Sequence, residues 1–488
     1  MPAGLAVKNA LKITLVLFWV LMVFLLVKKI HLAPGLSGVE ATELRDSEVW
    51  MSIYHKGQKI GHEVRSITRL DQDYITNSKA YLKLKIMGQV REIRTITSAR
   101  LNKTMGLETF NFFLSSGPIR FQLTGRLSGL VLNLTVMTSG YRSTSQIKLK
   151  EAPQLAVGLM PYLAQQGLKK RQRFRVPIFD PSSLSMRSVN IVVEDKEKLL
   201  IDGESFETFR VRMDYFDTKS YVWIDTDGQT LKEEGLLGLS MVRATREKAR
   251  QGLTGRAELT DLVRATSAPT NRTLKKPRQV RYFKVRLKGV DLSGFDLHGG
   301  RQTLYGDVVE IKRETIDVRH EARLPLSGRE FASFLSSTDF VQSQHPEIIH
   351  QARLITALER SPLKIVDRVM DWVFENLEKR PTLSVPSALE VLKTRVGDCN
   401  EHTVLTAALL RAAGVPARMA VGVLYFEDRF YYHAWVEAYW GRWMAVDPIL
   451  GQAPADATHI RFIIGGLSRQ AEMVRLIGRL EIEILEVR

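Results

Sequence analysis

One cysteine, Cys399, stands in the run Gly397-Asp398-Cys399-Asn400-Glu401-His402. The stretch that follows repeats Leu405, Ala408, Leu409 and Ala412 at helical spacing and stops at Gly414 and Pro416. A cysteine in the first turn of a helix lies beside unpaired backbone N–H groups and the positive end of the macrodipole. The sequence therefore predicts a lowered thiol pKa and a nucleophilic thiolate. Three strands are predicted downstream, over residues 419–425, 430–438 and 443–446, with His433 in the second and Asp447 at the end of the third. A three-residue loop, Tyr439-Trp440-Gly441, pairs Ala438 with Arg442 and sets His433 directly opposite Asp447 on one face. A two-residue loop would put them on opposite faces. In the first arrangement His433 takes the Cys399 proton while Asp447 orients the imidazole and stabilises its charged form. An acyl-enzyme follows, released by water or by an amine.

Blander roles compete for the same residues. A lone cysteine is most often an inert core side chain, although a helix start is a poor place for one. Cys399 and His402, three apart on one helix face, offer a zinc site together with His433 and Asp447. The missing second cysteine argues against it, so no metal and no cofactor is expected. Trp435, Trp440 and Trp443 read as core and rim packing. Glu437 reads as the partner of a basic neighbour.

Four blocks in order carry a family resemblance: Gly397-Asp398-Cys399 with Glu401-His402; Arg411-Ala412-Ala413-Gly414-Val415-Pro416-Ala417-Arg418; His433-Ala434-Trp435-Val436-Glu437; and Asp447-Pro448. Together they resemble the bacterial transglutaminase-like superfamily over residues 362–448. The resemblance implies a papain-like core, a helix packed on an antiparallel sheet. It also implies Cys399 as nucleophile, His433 as base and Asp447 as orienting acid, acting on a peptide or protein substrate. Many members of that superfamily look like peptidases or amidases. The animal enzymes carry Gly-Gln-Cys-Trp at the nucleophile, where this chain has Asp398 and Asn400, which argues against protein cross-linking. No acidic loop suited to calcium is present.

The rest of the chain must position this site. Residues 45–265 read as a large antiparallel β region, half-barrel or open sheet. Leu82, Leu84 and Ile86 alternate with Lys83 and Lys85, Phe209, Val211 and Met213 alternate with arginines, and Asp202-Gly203 and Asp227-Gly228 sit where hairpin turns belong. A short helical run is expected near residues 155–165. Residues 252–281 read as a basic linker, 275–335 as a second β segment, and 340–488 as the transglutaminase-like domain. Residues 365–377 form an amphipathic helix, and Leu480, Ile482 and Ile484 alternate with Glu481 and Glu483 in a closing strand. The fold class expected is α+β.

At the N-terminus, residues 13–27 are apolar except for Thr14 and are flanked by Lys8, Lys12, Lys28 and Lys29. Extended back to Asn9 with Lys12 snorkelling, the run gives about 28 Å of helix, enough to span a bilayer. Residues 1–35 are thus expected to be an uncleaved transmembrane anchor, with the body leaning toward the exported side. The chain holds 70 Lys+Arg against 53 Asp+Glu, a formal net charge of +17. Without zinc-finger spacing or an aromatic-basic RNA signature, that excess points to anionic surfaces rather than nucleic acid. A single cysteine excludes an intramolecular disulfide. Oligomeric state leaves no mark.

Overall fold

The computed structural model describes residues 44–488 except 87, 118, 139–140, 216–217, 227, 236–237, 256–258, 327 and 381–386. The expected anchor lies outside the described residues. Among the described residues, no helix is long and apolar enough to cross a membrane.

The N-terminal region is one 14-stranded antiparallel sheet made of two meanders. The first eight strands, Ser47–His55 to Tyr141–Lys148, pair in sequence, as do the six from Arg173–Asp180 to Leu239–Ala244. The meanders join where the first strand meets the fourteenth, with Met51 opposite Arg243 and Ile53 opposite Met241. So many twisted strands cannot stay flat, and the sheet curls. Period-two alternation supplies the inner lining: Leu132, Leu134 and Val136 from the first meander share one buried cluster with Val189, Ile191 and Val211 from the second. The helix Ala156–Gln165 connects the two outermost strands and contributes Leu159, Met160, Tyr162 and Leu163 to that cluster. Leu82 and Leu84, expected on an apolar face, pack instead against a smaller cluster of Ile53, Ile60 and Leu259. At the Asp202-Gly203 turn both residues have positive φ (52° and 86°), as a two-residue hairpin loop of the right twist requires.

The basic linker is not a loose tether. Ala268 bridges Phe430, and the Asn271 side chain bonds both the N–H and the carbonyl of Ile484. Arg278 donates to Asp456 at 2.7 Å. The second β segment forms a four-stranded sheet in which Tyr282–Lys288 is flanked by Val308–Lys312 and by the closing strand Glu481–Val487.

In the C-terminal region the helix Cys399–Ala412 is the hub. Every residue from Glu401 to Leu410 is buried, so the helix is enclosed all round rather than presenting one apolar stripe. It packs against the strands Ala417–Phe426 and Arg429–Tyr439 on one side and the helices Pro346–Thr356, Pro362–Asn376 and Ala388–Thr394 on the other. Leu405 and Leu409 are fully buried, each contributing about 1.5–3 kcal/mol. In Pro362–Asn376, Ile365, Val366, Val369, Met370 and Val373 face the core, whereas Phe374 is exposed and lies under Lys379. The sheet order is Trp443–Val446, Arg429–Tyr439, Ala417–Phe426, His459–Ile464.

Candidate active site

Local sequence fixes the start of the hub helix. Asp398 is its N-cap: Oδ1 accepts from Asn400 N at 2.9 Å, while Glu401 Oε2 accepts from Asp398 N at 2.9 Å, closing a capping box. Gly397 permits this approach, since a Cβ there would lie 2.1 Å from Glu401 Cβ. Cys399 is therefore the first helical residue. Its sulfur accepts a hydrogen bond from the backbone N–H of Ala434, the neighbour of His433. Burial pushes the thiol pKa well up, Asp398 adds to that, and the Ala434 N–H offsets only part of it. The lowered pKa expected from the helix N-terminus is thus reversed. Losing water and facing carboxylates outweighs the macrodipole.

The hairpin that carries His433 and Asp447 differs from the expected one. Its loop is Trp440-Gly441-Arg442, because Tyr439 pairs with Trp443 and Ala438 with Met444. The cause is tertiary. Gly441 has φ +136°, and a Cβ on it would lie 1.9 Å from the His320 carbonyl, while Ala322 N donates to Trp440 O at 2.6 Å. The segment around residues 320–322 therefore sets the loop. The register moves by one full pleat period, which preserves facing. His433 and Asp447 end on one side as diagonal rather than direct neighbours, and His433 Nε2 meets Asp447 Oδ2 at 2.8 Å.

Asp447 is fully buried and carries more than that bond. His459 Nε2 reaches the same Oδ2 at 2.9 Å, and Oδ1 accepts from the N–H groups of Ile449 and Leu450. Burial alone would push the carboxyl up. The charge of His433, its hydrogen bond and that of His459 pull harder and hold it far below the usual carboxylate range. The Nδ1 of His459 faces the backbone carbonyl of Asp456 at 3.1 Å, and a carbonyl only accepts. Both ring nitrogens of His459 thus face acceptors, so both donate, and the ring is an imidazolium. In keeping with this, its pKa is raised: burial opposes, while hydrogen bonds to Asp447 and Asp456 prevail. Asp456 is held low by His459 and Arg278 despite burial.

A second buried ion cluster braces the strand of His433. Glu437 accepts from Arg461 Nη1 at 2.7 Å and from Arg418 Nη2 at 2.6 Å. Burial raises the carboxyl, and Arg461 and then Arg418 bring it below its ordinary value. Arg461 also donates to the carbonyls of Asp296 and Gly299 at 3.0 Å, tying the loop before Gln302–Tyr305 to the sheet. Trp435 and Trp440 are completely buried, with Trp435 stacked on His433 at 6.2 Å and edge-on to His459 at 5.2 Å.

His402, named for zinc, turns its Nδ1 to the Asp398 carbonyl at 2.7 Å. Among the described residues, the group with ligand atoms near enough for one ion is His433, Asp447 and His459. Its donors fit a metal poorly. His459 has no nitrogen lone pair to give, and both imidazoles spend Nε2 on Asp447. His459, Asp456, Arg418 and Arg461 escaped the sequence reading as site residues. The available signal was His459 and Arg461, two apart at the start of the otherwise apolar stretch 459–464.

Residues 349–448 match the family model of the Transglutaminase-like superfamily, about a fifth of the chain. No curated protein is significantly similar to the chain in sequence. Among solved structures, a candidate cysteine protease from Cytophaga hutchinsonii shares 18% identity over 43% of this chain and 89% of its own, with a TM-score of 0.28. A β-barrel-like domain of unknown function from Brucella abortus shares 15% identity over 41% of this chain and 96% of its own, with a TM-score of 0.32. A candidate protease from Parabacteroides distasonis shares 12% identity over 78% of this chain and 70% of its own, with a TM-score of 0.21.

Proposed function

We propose that the chain is a membrane-anchored cysteine acyl-transfer enzyme of transglutaminase-like fold that cleaves or transfers a peptide or amide acyl group. The observation that carries this reading is the placement of a thiol at a helix N-terminus beside the strand whose imidazole is held by a buried carboxylate. With Nε2–H donated to Asp447, Nδ1 is the ring nitrogen left to act as base. The thiol proton passes to Nδ1 as sulfur bonds to the carbonyl carbon. Asp398 takes the N–H groups of Asn400 and Glu401, which leaves the Cys399 N–H of the first helical turn to meet the tetrahedral oxyanion. Collapse breaks the C–N bond, and the leaving amine takes the proton from His433. A thioester remains. Water or a second amine, deprotonated by His433, resolves it.

His459 shapes the resting state. Its positive charge offsets that of Asp447. The thiol, raised by burial, stays protonated at rest, and its proton passes to His433 during attack instead of before it. This same feature favours a second reading, a peptide- or envelope-binding scaffold without turnover, because a raised thiol is a poor nucleophile. Mass spectrometry of Cys399 after exposure to peptide and amide libraries separates them. A trapped thioester supports the enzyme, and its absence under conditions where a thiol-reactive probe labels Cys399 supports the scaffold.

Residues 1–35 serve as the anchor in this reading, with the body on the exported side. The chain should be released from membranes by detergent and not by salt, and external protease should reach the body. Release by salt would overturn the anchor.

A further inference from the structure

The curled sheet encloses space that the proposed acyl transfer does not use. Beside the Ala156–Gln165 helix lies a cavity of about 550 Å³, lined among others by Asp46, Arg65, Thr76, Gln165 and Thr230. A second, of about 540 Å³, is lined among others by Phe112, Leu159, Phe179, Met213 and Val222. Arg65, Ala156, Val157 and Met160 line both, so the two spaces adjoin. Each is the size of a small-molecule site.

Unpartnered polar groups mark the first cavity. Gln165 is 6% exposed and Thr76 1%, yet neither the amide oxygen and nitrogen of Gln165 nor the hydroxyl of Thr76 has a hydrogen-bond partner. Three buried polar atoms on one wall would each cost free energy if left bare. The second cavity is mostly apolar and is also lined by Glu63, Arg65, Ser78 and Glu233. There Arg65 is bound to Glu63 at 2.9 Å and Glu233 at 2.5 Å, and Glu63 also accepts from Ser78. The guanidinium is therefore fully committed. With Asp46 and Asp180 on the walls as well, acidic groups outnumber the basic Arg45 and Arg65. Arg65 is taken by two carboxylates, Arg45 and Asp46 are exposed, and Asp180 is held by Ser182 and Ser183, so the buried lining atoms that lack a partner are uncharged ones, on Thr76 and Gln165.

We propose that this interior binds an amphiphile with an uncharged head bearing hydroxyl or amide groups and a single apolar tail. The head pairs with Gln165 and Thr76, and the tail lies along Phe112, Leu159, Met213 and Val222. The site is independent of Cys399.

The test is photo-crosslinking of the full chain with decyl glucoside carrying a diazirine in its tail, beside decanoate and decylamine carrying the same tail, with adducts mapped by peptide mass spectrometry. The glucoside should label the Ala156–Gln165 helix and the strands bearing Phe112, Met213 and Val222, about tenfold more than either charged probe. Gln165→Leu should cut that labelling about tenfold while raising Tm, because it removes a bare amide. Met213→Trp should cut it by filling the trough, whether or not the first variant folds. Adducts scattered outside these elements, equal labelling by decanoate or decylamine, or labelling unchanged in both variants would overturn the proposal.

Discussion

The carboxylate cluster of the candidate site and the cavity wall in the curled sheet bury polar groups in opposite ways. In the C-terminal core each buried carboxylate of the site is saturated: Glu437 holds two arginines, Asp447 two histidines, and Asp456 meets Arg278, Thr458 and the ring of His459. In the curled sheet Thr76 and Gln165 are buried and bare, and the space beside them is open. A saturated network fixes one geometry, as proton transfer between named atoms demands. A lining with unmet hydrogen bonds leaves its geometry to be completed by something else. The carboxylate cluster holds its own groups, and the cavity wall presents groups that it does not itself satisfy.

Substitutions can break or sharpen this contrast. The largest effect belongs to Cys399→Ala, which should lower acyl transfer about 10³-fold or more while leaving the melting transition nearly unchanged. An equal loss from any variant of the curled sheet would erase the division of labour. Next comes Glu437→Ala, which strands the buried guanidinium of Arg461 and the half-buried one of Arg418 and should destabilise by about 3–5 kcal/mol in denaturant unfolding. Glu63→Ala should cost less, about 1.5–3 kcal/mol, because Arg65 keeps Glu233 and borders a cavity. Similar costs for the two would mean the regions do not differ. Among glycines, Gly422→Ala would set its Cβ 1.9 Å from the Ile460 carbonyl, a backbone clash expected at the top of the about 1–3 kcal/mol range for overpacking. In Gly125→Ala the new Cβ meets only the Phe110 ring, 2.0 Å away, which can turn, so thermal unfolding should place it lower in that range.

The smallest effect is one of pH. His459 has a raised pKa, so its stabilisation is complete below its unfolded value of about 6.5 and fades as pH rises through the folded value. Asp447 and Asp456 are depressed, so theirs is complete above about pH 3.9 and is lost as pH falls further. His459→Gln should therefore destabilise most between about pH 4 and 6.5 and progressively less in alkali. A stability difference that does not vary with pH would contradict the imidazolium.

Much of this was legible in the sequence because it rests on local rules. The helix start at Cys399, the alternation over residues 480–484 and the Asp202-Gly203 turn each specify their own geometry. The His433 and Asp447 facing survived a misplaced loop because a shift of two residues preserves parity. What the sequence concealed is set by distant partners. The loop register depends on a carbonyl at His320, the thiol pKa on burial and Asp398, and the charge of His459 on a backbone oxygen at Asp456. The cavities were equally hidden, since alternation describes a lining and not the space it surrounds.

The strand His459–Ile464 closes the far edge of the catalytic-type sheet, beyond the segment that matches the superfamily. A fragment ending at residue 448 would expose the full edge of Ala417–Phe426 to pairing with other chains. It would also deprive Asp447 of His459. Starting the fragment at residue 349 removes Arg278, and with it the brace on Asp456. A piece that keeps these braces runs from the basic linker near Ala268 to residue 488, about twice the length of the matched segment.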